Sequence, residues 1–324
     1  MTKQQRISNI LNHRPVDRAP AAFWLHFPQE DKFGTRAVDA HMQLMQDTDT
    51  DILKIMNENI FWDGTTRIDR LSDIKNFRAY SRKDQIFQDQ MELISRIAAR
   101  NKGEVPTVAT IHGLIASAFH EIGRPKLYSP LGYLFPLFCR ERPAEMKAVF
   151  EMLAQSLIDL VDCSLEAGAD GIFYAVLGAE RYFFEKDEFA EFVAPYEQAV
   201  YAHIRKVSPL NILHICKSNI ELERYTPLKP AIVNWAVLDN HISLKEGREQ
   251  YFPDSVMLGG FSNHSGALLQ GTIEEITAQT NQLCAEMQDI PYIVGADCSL
   301  PTGIRRERIR TVVNTLHAQT SDVL

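Results

Sequence analysis

Cysteine is scarce in this 324-residue chain, and its five copies, at positions 139, 163, 216, 284 and 298, are odd in number and widely spread. That pattern excludes the paired framework of a small disulfide-stapled protein. Long apolar runs are missing too. Nowhere do 18 apolar residues follow one another, so no membrane-spanning helix is predicted. The opening residues, from Met1 to Arg6, lead into an amphipathic segment without the apolar core of a secretory signal, and a cytoplasmic location is the expectation. Charge of one sign is concentrated nowhere. With 34 Lys and Arg against 42 Asp and Glu, the formal net charge is -8, which argues against a nucleic-acid footprint and leaves small molecules or proteins as partners. No Gly-x-Gly-x-x-Gly or phosphate-loop pattern occurs, and no Gly/Ser-rich linker divides the chain.

What is present is alternation. Short apolar runs rich in β-branched or aromatic residues alternate with longer segments of helical period. Eight strands are predicted, at 21–27, 52–57, 107–112, 171–176, 211–216, 232–237, 256–260 and 292–295. The clearest helices are predicted at 143–166, 188–207, 273–288 and 305–318, with Pro143 at a first helical position and Thr272 with Glu275 as a capping box. Eight strand-helix units in a chain that is 45% hydrophobic predict a single (β/α)8 TIM barrel over 1–324, in preference to an open doubly wound sheet.

One run carries more chemistry than the rest: Leu213-His214-Ile215-Cys216, matched by Cys298 close to the C-terminus. Residues two apart on a strand point the same way, so His214 and Cys216 present an imidazole and a thiol to one point. His-x-Cys on its own is also what a buried core produces, since cysteine packs as a small hydrophobe. In a barrel, however, the reactive face lies at the C-terminal ends of the strands, where the predicted fifth and eighth strands deliver all three residues. Sulfur and nitrogen donors suit zinc, and three protein ligands with one open position are the arrangement of a catalytic zinc. Cys139, Cys163 and Cys284 fall in helical segments. Asn57, Glu58, His112, Tyr174 and Asp297 lie near predicted strand ends and are candidates for a substrate pocket, with Asp297 a candidate acceptor for His214; each also fits barrel packing or strand capping.

The run from Arg6 through His13-Arg14-Pro15-Val16-Asp17-Arg18 to Pro20 resembles the opening of the uroporphyrinogen decarboxylase superfamily. Ala167-Gly168-Ala169-Asp170-Gly171, Phe189-Ala190-Glu191-Phe192-Val193-Ala194-Pro195-Tyr196 and Leu268-Leu269-Gln270-Gly271-Thr272 agree with it in order. The resemblance implies a (β/α)8 barrel. The decarboxylase's own parts are mostly replaced, because the place of its Arg-Gln-Ala-Gly-Arg-Tyr motif reads Phe23-Trp24-Leu25-His26-Phe27-Pro28-Gln29, without the arginines that suit substrate carboxylates. Its Phe-Ser-Asp-Ile-Leu segment reads Met56-Asn57-Glu58-Asn59-Ile60, Ala175 replaces its serine, and Asp297-Cys298 replaces its His-Gly.

His-x-Cys followed much later by Cys is similar instead to the zinc-dependent cobamide methyltransferases of the same superfamily, of the methylcobalamin:coenzyme M type. That likeness implies zinc on His214, Cys216 and Cys298, a small thiol as methyl acceptor, and a methylated corrinoid as co-substrate, carried by a separate corrinoid protein. The branch also uses an acidic ligand near the end of strand six, where this chain offers Asp239 a few residues on. A carboxy-lyase of the decarboxylase type and a noncatalytic metal-binding barrel are the alternatives.

Overall fold

Strands that each return through a helix can pair only in parallel, and eight of them do so here. The structure, a computed structural model, describes residues 1–61, 64–122 and 134–319; of the predicted domain 1–324, the segments 62–63, 123–133 and 320–324 lie outside them. The strands are β1 (Ala21–Ala22), β2 (Leu53–Ile55), β3 (Thr107–His112), β4 (Gly171–Val176), β5 (Asn211–Ile215), β6 (Ile232–Trp235), β7 (Val256–Phe261) and β8 (Tyr292–Ala296). They form one sheet in the order β1-β8-β7-β6-β5-β4-β3-β2, and every pairing is parallel. The sheet curls into a nearly closed (β/α)8 barrel whose strands, buried on both faces, read as apolar runs. Helices wrap it. Helix Arg306–Gln319 packs against Ile273–Glu286 on one side and Gly34–Thr48 on the other. Among the described residues, no helix is long and apolar enough to cross a membrane.

Between β1 and β2 there is no ladder, and the seam is closed largely by one residue. The Asp51 backbone N–H donates to the Ala21 carbonyl at 2.7 Å, and its carboxylate accepts the Ala21 N–H at 2.8 Å. That carboxylate is fully buried and also takes hydrogen bonds from Arg18 at 2.8 and 3.1 Å and from Arg6 at 2.7 Å. Arg6 reaches it from the N-terminal helix Lys3–Leu11, so that helix and the seam share one charge cluster.

Several elements differ from expectation for physical reasons. The first strand, predicted at 21–27, has only two ladder residues, because beyond Ala22 the apolar run turns to line the barrel mouth and touches β8's continuation, Leu300 N–H donating to the Trp24 carbonyl at 2.9 Å. β2 is similarly shorter than 52–57. The helix predicted at 188–207 is interrupted. A π-helical turn at Phe189–Val193 precedes helix Ala194–Val207, whose Pro195 lacks an N–H to continue an α ladder upstream. Helix Pro143–Glu166 and the Thr272/Glu275 capping box are as the sequence predicts.

Removing the shared charge at the seam should be costly. Asp51→Asn takes the carboxylate from Arg18 and leaves Arg6 with Asp17 alone, and breaking a buried pair costs about 3–5 kcal/mol. Urea unfolding measures it; a loss below about 1 kcal/mol would mean the seam holds without that charge.

Candidate metal centre

His214 is the last residue but one of β5, and Cys216 follows the strand directly, its N–H still donating to the Val176 carbonyl at 3.2 Å. The backbone therefore stays extended through both, and the two side chains face one side. At Lys217 it turns away, with φ at 85°. Cys298 lies two residues beyond β8, placed by the Asp297 N–H, which donates to the Phe261 carbonyl at 2.8 Å. Cys298 Sγ and His214 Nε2 are 3.4 Å apart, and one donor atom from each of His214, Cys216 and Cys298 lies within 4.8 Å of the others. Zn–N and Zn–S bonds in tetrahedral array separate nitrogen from sulfur by about 3.6 Å. The spacing fits such an ion. No other cluster of this kind occurs among the described residues.

The imidazole is oriented by Asn234, which stands opposite His214 in the β5–β6 register. Its amide nitrogen donates to the carbonyls of Leu258 at 2.8 Å and Ala296 at 3.1 Å, so its oxygen must face His214 Nδ1, at 2.6 Å. That hydrogen bond places the neutral ring's proton on Nδ1 and turns the Nε2 lone pair toward the two sulfurs. Asp297, the acceptor expected from sequence, does not serve: its carboxylate accepts from the Leu238 N–H at 3.2 Å, and burial raises its pKa to about 6. The two thiols share a proton. Cys216 donates to Cys298, which with His214 nearby is driven far down toward thiolate, while Cys216 is pushed well up.

The donors open onto a cavity of about 410 Å³ at the barrel mouth, a size suited to a small ligand, for which about 300–1,000 Å³ is usual. Trp24 and Phe173 form an aromatic wall, with the Phe173 ring 5.6 Å from the His214 ring. His112 lines the cavity and meets His120 edge to face at 4.6 Å. Asn57 and Glu58 do not line the cavity themselves but contact residues that do: Asn57 donates to the Thr110 carbonyl at 3.2 Å, and Glu58 holds His26 Nδ1 at 2.5 Å and Lys32 at 3.6 Å. Asp239 sits apart, half exposed on helix Val237–Asn240 and 3.9 Å from His264, outside the donor set. Neither Asp nor Glu nor Arg lines the cavity among the described residues.

Two features escaped the sequence reading. Lys54, in the middle of β2, is buried yet lines the cavity, and burial lowers its pKa to about 8 against the raising pull of Cys298, Glu58 and Cys216. A lone lysine inside the apolar stretch Ile52–Met56 was the available signal, since lysine is seldom buried without a purpose. Glu197 is the other. It accepts the Leu114 N–H at 3.0 Å and the Tyr174 hydroxyl, capping helix Leu114–Glu121, whose Ala116 and His120 face the cavity. Gly113 is needed at that junction, because a Cβ there would come within 2.9 Å of Val176 and 3.1 Å of the Glu197 carboxylate.

A parallel eight-stranded barrel with its polar groups gathered at the strands' C-terminal ends defines the class. The chain belongs to the uroporphyrinogen decarboxylase (URO-D) family, whose profile matches residues 64–319. No curated protein is significantly similar to it in sequence. Among solved structures, a methyltransferase from Methanosarcina mazei is similar with a TM-score of 0.77 and 16% identity, over 98% of this chain and 99% of that one. A B12-independent methionine synthase from a Shewanella species has a TM-score of 0.59 at 15% identity, covering 95% and 94%. A putative vitamin-B12 independent methionine synthase from Listeria monocytogenes has 0.57 at 11%, covering 96% and 98%. At these identities the likeness is one of fold.

Burial lifts the Glu197 pKa to about 7, above the 4.5 of a free carboxyl, against hydrogen bonds that favour the anion. Between those values the folded protein holds a proton that the unfolded chain releases, so stability falls as pH rises through the window. Relative to Glu197→Gln, the parent should lose roughly 2–3 kcal/mol from pH 4.5 to 7.5. Parallel stability curves for the two proteins would show that this carboxyl titrates normally.

Proposed function

We propose that this protein is a zinc-dependent methyltransferase, folded as one barrel domain over 1–324, that moves a methyl group from a methylated corrinoid on a separate protein to a small thiol. The convergence of His214, Cys216 and Cys298 at the barrel mouth, with His214 Nδ1 engaged by Asn234, carries the reading. The barrels of similar fold that bear methyltransferase and methionine synthase names support it. Zinc held by these three residues would supply the charge that deprotonates a coordinated thiol, which is otherwise protonated at neutral pH.

The chain's own residues prepare the rest. Asn234 keeps the imidazole in the tautomer that offers Nε2, the two cysteines contribute sulfur donors that would leave a bound thiol nucleophilic, and Trp24 and Phe173 give one side of the cavity an apolar surface. The thiol's proton leaves to solvent. Methyl transfer would form a carbon–sulfur bond on that thiol as the carbon–cobalt bond of the methylated corrinoid breaks, the bonding electron pair staying with the corrinoid. A carboxy-lyase acting on a polycarboxylate is disfavoured by a lining without arginine.

Elemental analysis should find one zinc per chain in protein purified without chelators. Asn234→Leu frees the imidazole to rotate and should weaken zinc binding by about 10–100-fold, measured by competition with a chromogenic chelator. Unchanged affinity would remove Asn234 from this role.

A methyl-transfer assay with methylcobalamin and a panel of thiols, read by cobalt absorbance and product mass, should show activity in the parent that falls by at least about tenfold in Cys298→Ser. Equal rates in parent, variant and chelator-treated protein would place the chemistry outside this site. Zinc binding with no transfer to any thiol, corrinoid protein supplied, would leave a noncatalytic metal-binding barrel.

A further inference from the structure

A second cavity, of about 490 Å³, opens at the end of the barrel away from the metal donors, where β8 begins. It lies between helix Lys3–Leu11 with the connector that follows it and the turn that leads from helix Ile273–Glu286 into β8. Ile10, Val16, Met287 and Ile290 give it apolar walls, and Cys284 lines it as well. Its volume suits a small ligand.

Tyr292, the first residue of β8, is part of this lining. The side chain is only 7% exposed, and its hydroxyl has no hydrogen-bond partner. Burial first, and the nearby Cys284 sulfur second, raise its pKa, so the phenol stays a neutral donor. A thiol is a weak acceptor. Leaving a buried O–H unmatched is unfavourable, and an acceptor that arrives beside Cys284 would relieve it.

Charge at the rim points the same way. Arg18 is engaged by Asp51, but the Arg14 guanidinium makes no ion pair or hydrogen bond among the described residues, and His13 precedes it in the same lining. The one carboxylate among the described lining residues, Asp289, also borders a neighbouring groove that holds Lys245 and Arg248. Positive charge is left over for a ligand.

We propose that this basal cavity is a binding site for a small organic anion, an apolar body carrying one carboxylate or phosphate group, with Arg14 holding the charged head and the Tyr292 hydroxyl donating to an acceptor on the ligand. The apolar walls take the body. This site is separate from the metal centre, since Tyr292 opens β8 and Cys298 lies beyond its far end. It also touches the connector that carries Arg18 to Asp51, so an occupant would brace the β1–β2 seam.

Alkylation of Cys284 by iodoacetamide, scored by peptide mass in the presence of phenylacetate, phenyl phosphate or neutral 2-phenylethanol, tests the proposal. At millimolar concentration one or both anions should slow the reaction at Cys284 saturably and leave Cys216 and Cys298 unaffected. The alcohol should bind about tenfold more weakly, the usual worth of a hydrogen bond to a charged group. Comparison of the two anions identifies the head group. Arg14→Gln should weaken the anions about tenfold. Tyr292→Phe should weaken them about threefold while leaving the free protein as stable as the parent or more so, because it removes an unmatched hydroxyl. A rise in melting temperature with the anion, kept in Cys284→Ser, gives a readout that does not need the thiol.

Circular dichroism confirms that each variant is folded. Unslowed alkylation of Cys284 with no rise in melting temperature, equal binding of the alcohol and the anions, or anion binding undiminished in Arg14→Gln overturns the proposal. Protection of Cys216 and Cys298 in place of Cys284 would put the anion at the barrel mouth and overturn it equally.

Discussion

Everything at the mouth of this barrel depends on closing it between β1 and β2, where no strand ladder does the work. Asp51 joins the two with its own backbone and side chain, and the guanidinium groups of Arg6 and Arg18 make that buried carboxylate tenable. Trp24 follows β1, Lys54 lies within β2 and Cys298 follows β8, which pairs with β1. Opening the seam would therefore draw β2, with Lys54, away from Trp24 and Cys298 on the β1–β8 side, although the charge cluster itself lies at the opposite end of the strands.

Polarity inside the barrel is tightly rationed. Most strand positions are apolar and fully buried, and the buried polar groups fall into two kinds. Asn234 on β6 and Glu197 in the helical layer are satisfied by protein partners and hold other groups in place: one turns an imidazole, the other caps a helix that forms part of the cavity wall. Lys54, whose one polar contact is the Met56 sulfur, is of the other kind. A fully hydrogen-bonded polar group rigidifies a core, whereas an incompletely satisfied one is a place for a ligand.

The fold was legible because a parallel barrel writes itself in repeated units: apolar strand, helix, and again, with caps such as Thr272/Glu275 marking the joins. The lengths of β1 and β2 were not, since an apolar run looks alike whether it pairs in a ladder or lines a cavity. The π-helical turn before Pro195 was hidden for a related reason, as its residues keep the helical period. In the site, His214 and Cys216 could be read together because two-residue spacing on a strand is local information. Asn234 could not. Its role comes from lateral register with β5, twenty residues away, and Asp297, nearer to Cys298 in sequence, drew the assignment although its carboxylate accepts from the Leu238 N–H and not from His214. Lys54 was visible as an oddity within an apolar run, but its meaning emerges only when β2 is placed across the cavity from β5.

The cavity's lining bears on substrate choice independently of the metal. Among the described residues no arginine lines it, so a polycarboxylate finds none of the bidentate partners that would hold its carboxylates. Trp24 and Phe173 give one side an apolar surface, where an uncompensated charge is costly. The large polyanion that a carboxy-lyase of the decarboxylase type would need therefore fits this lining poorly.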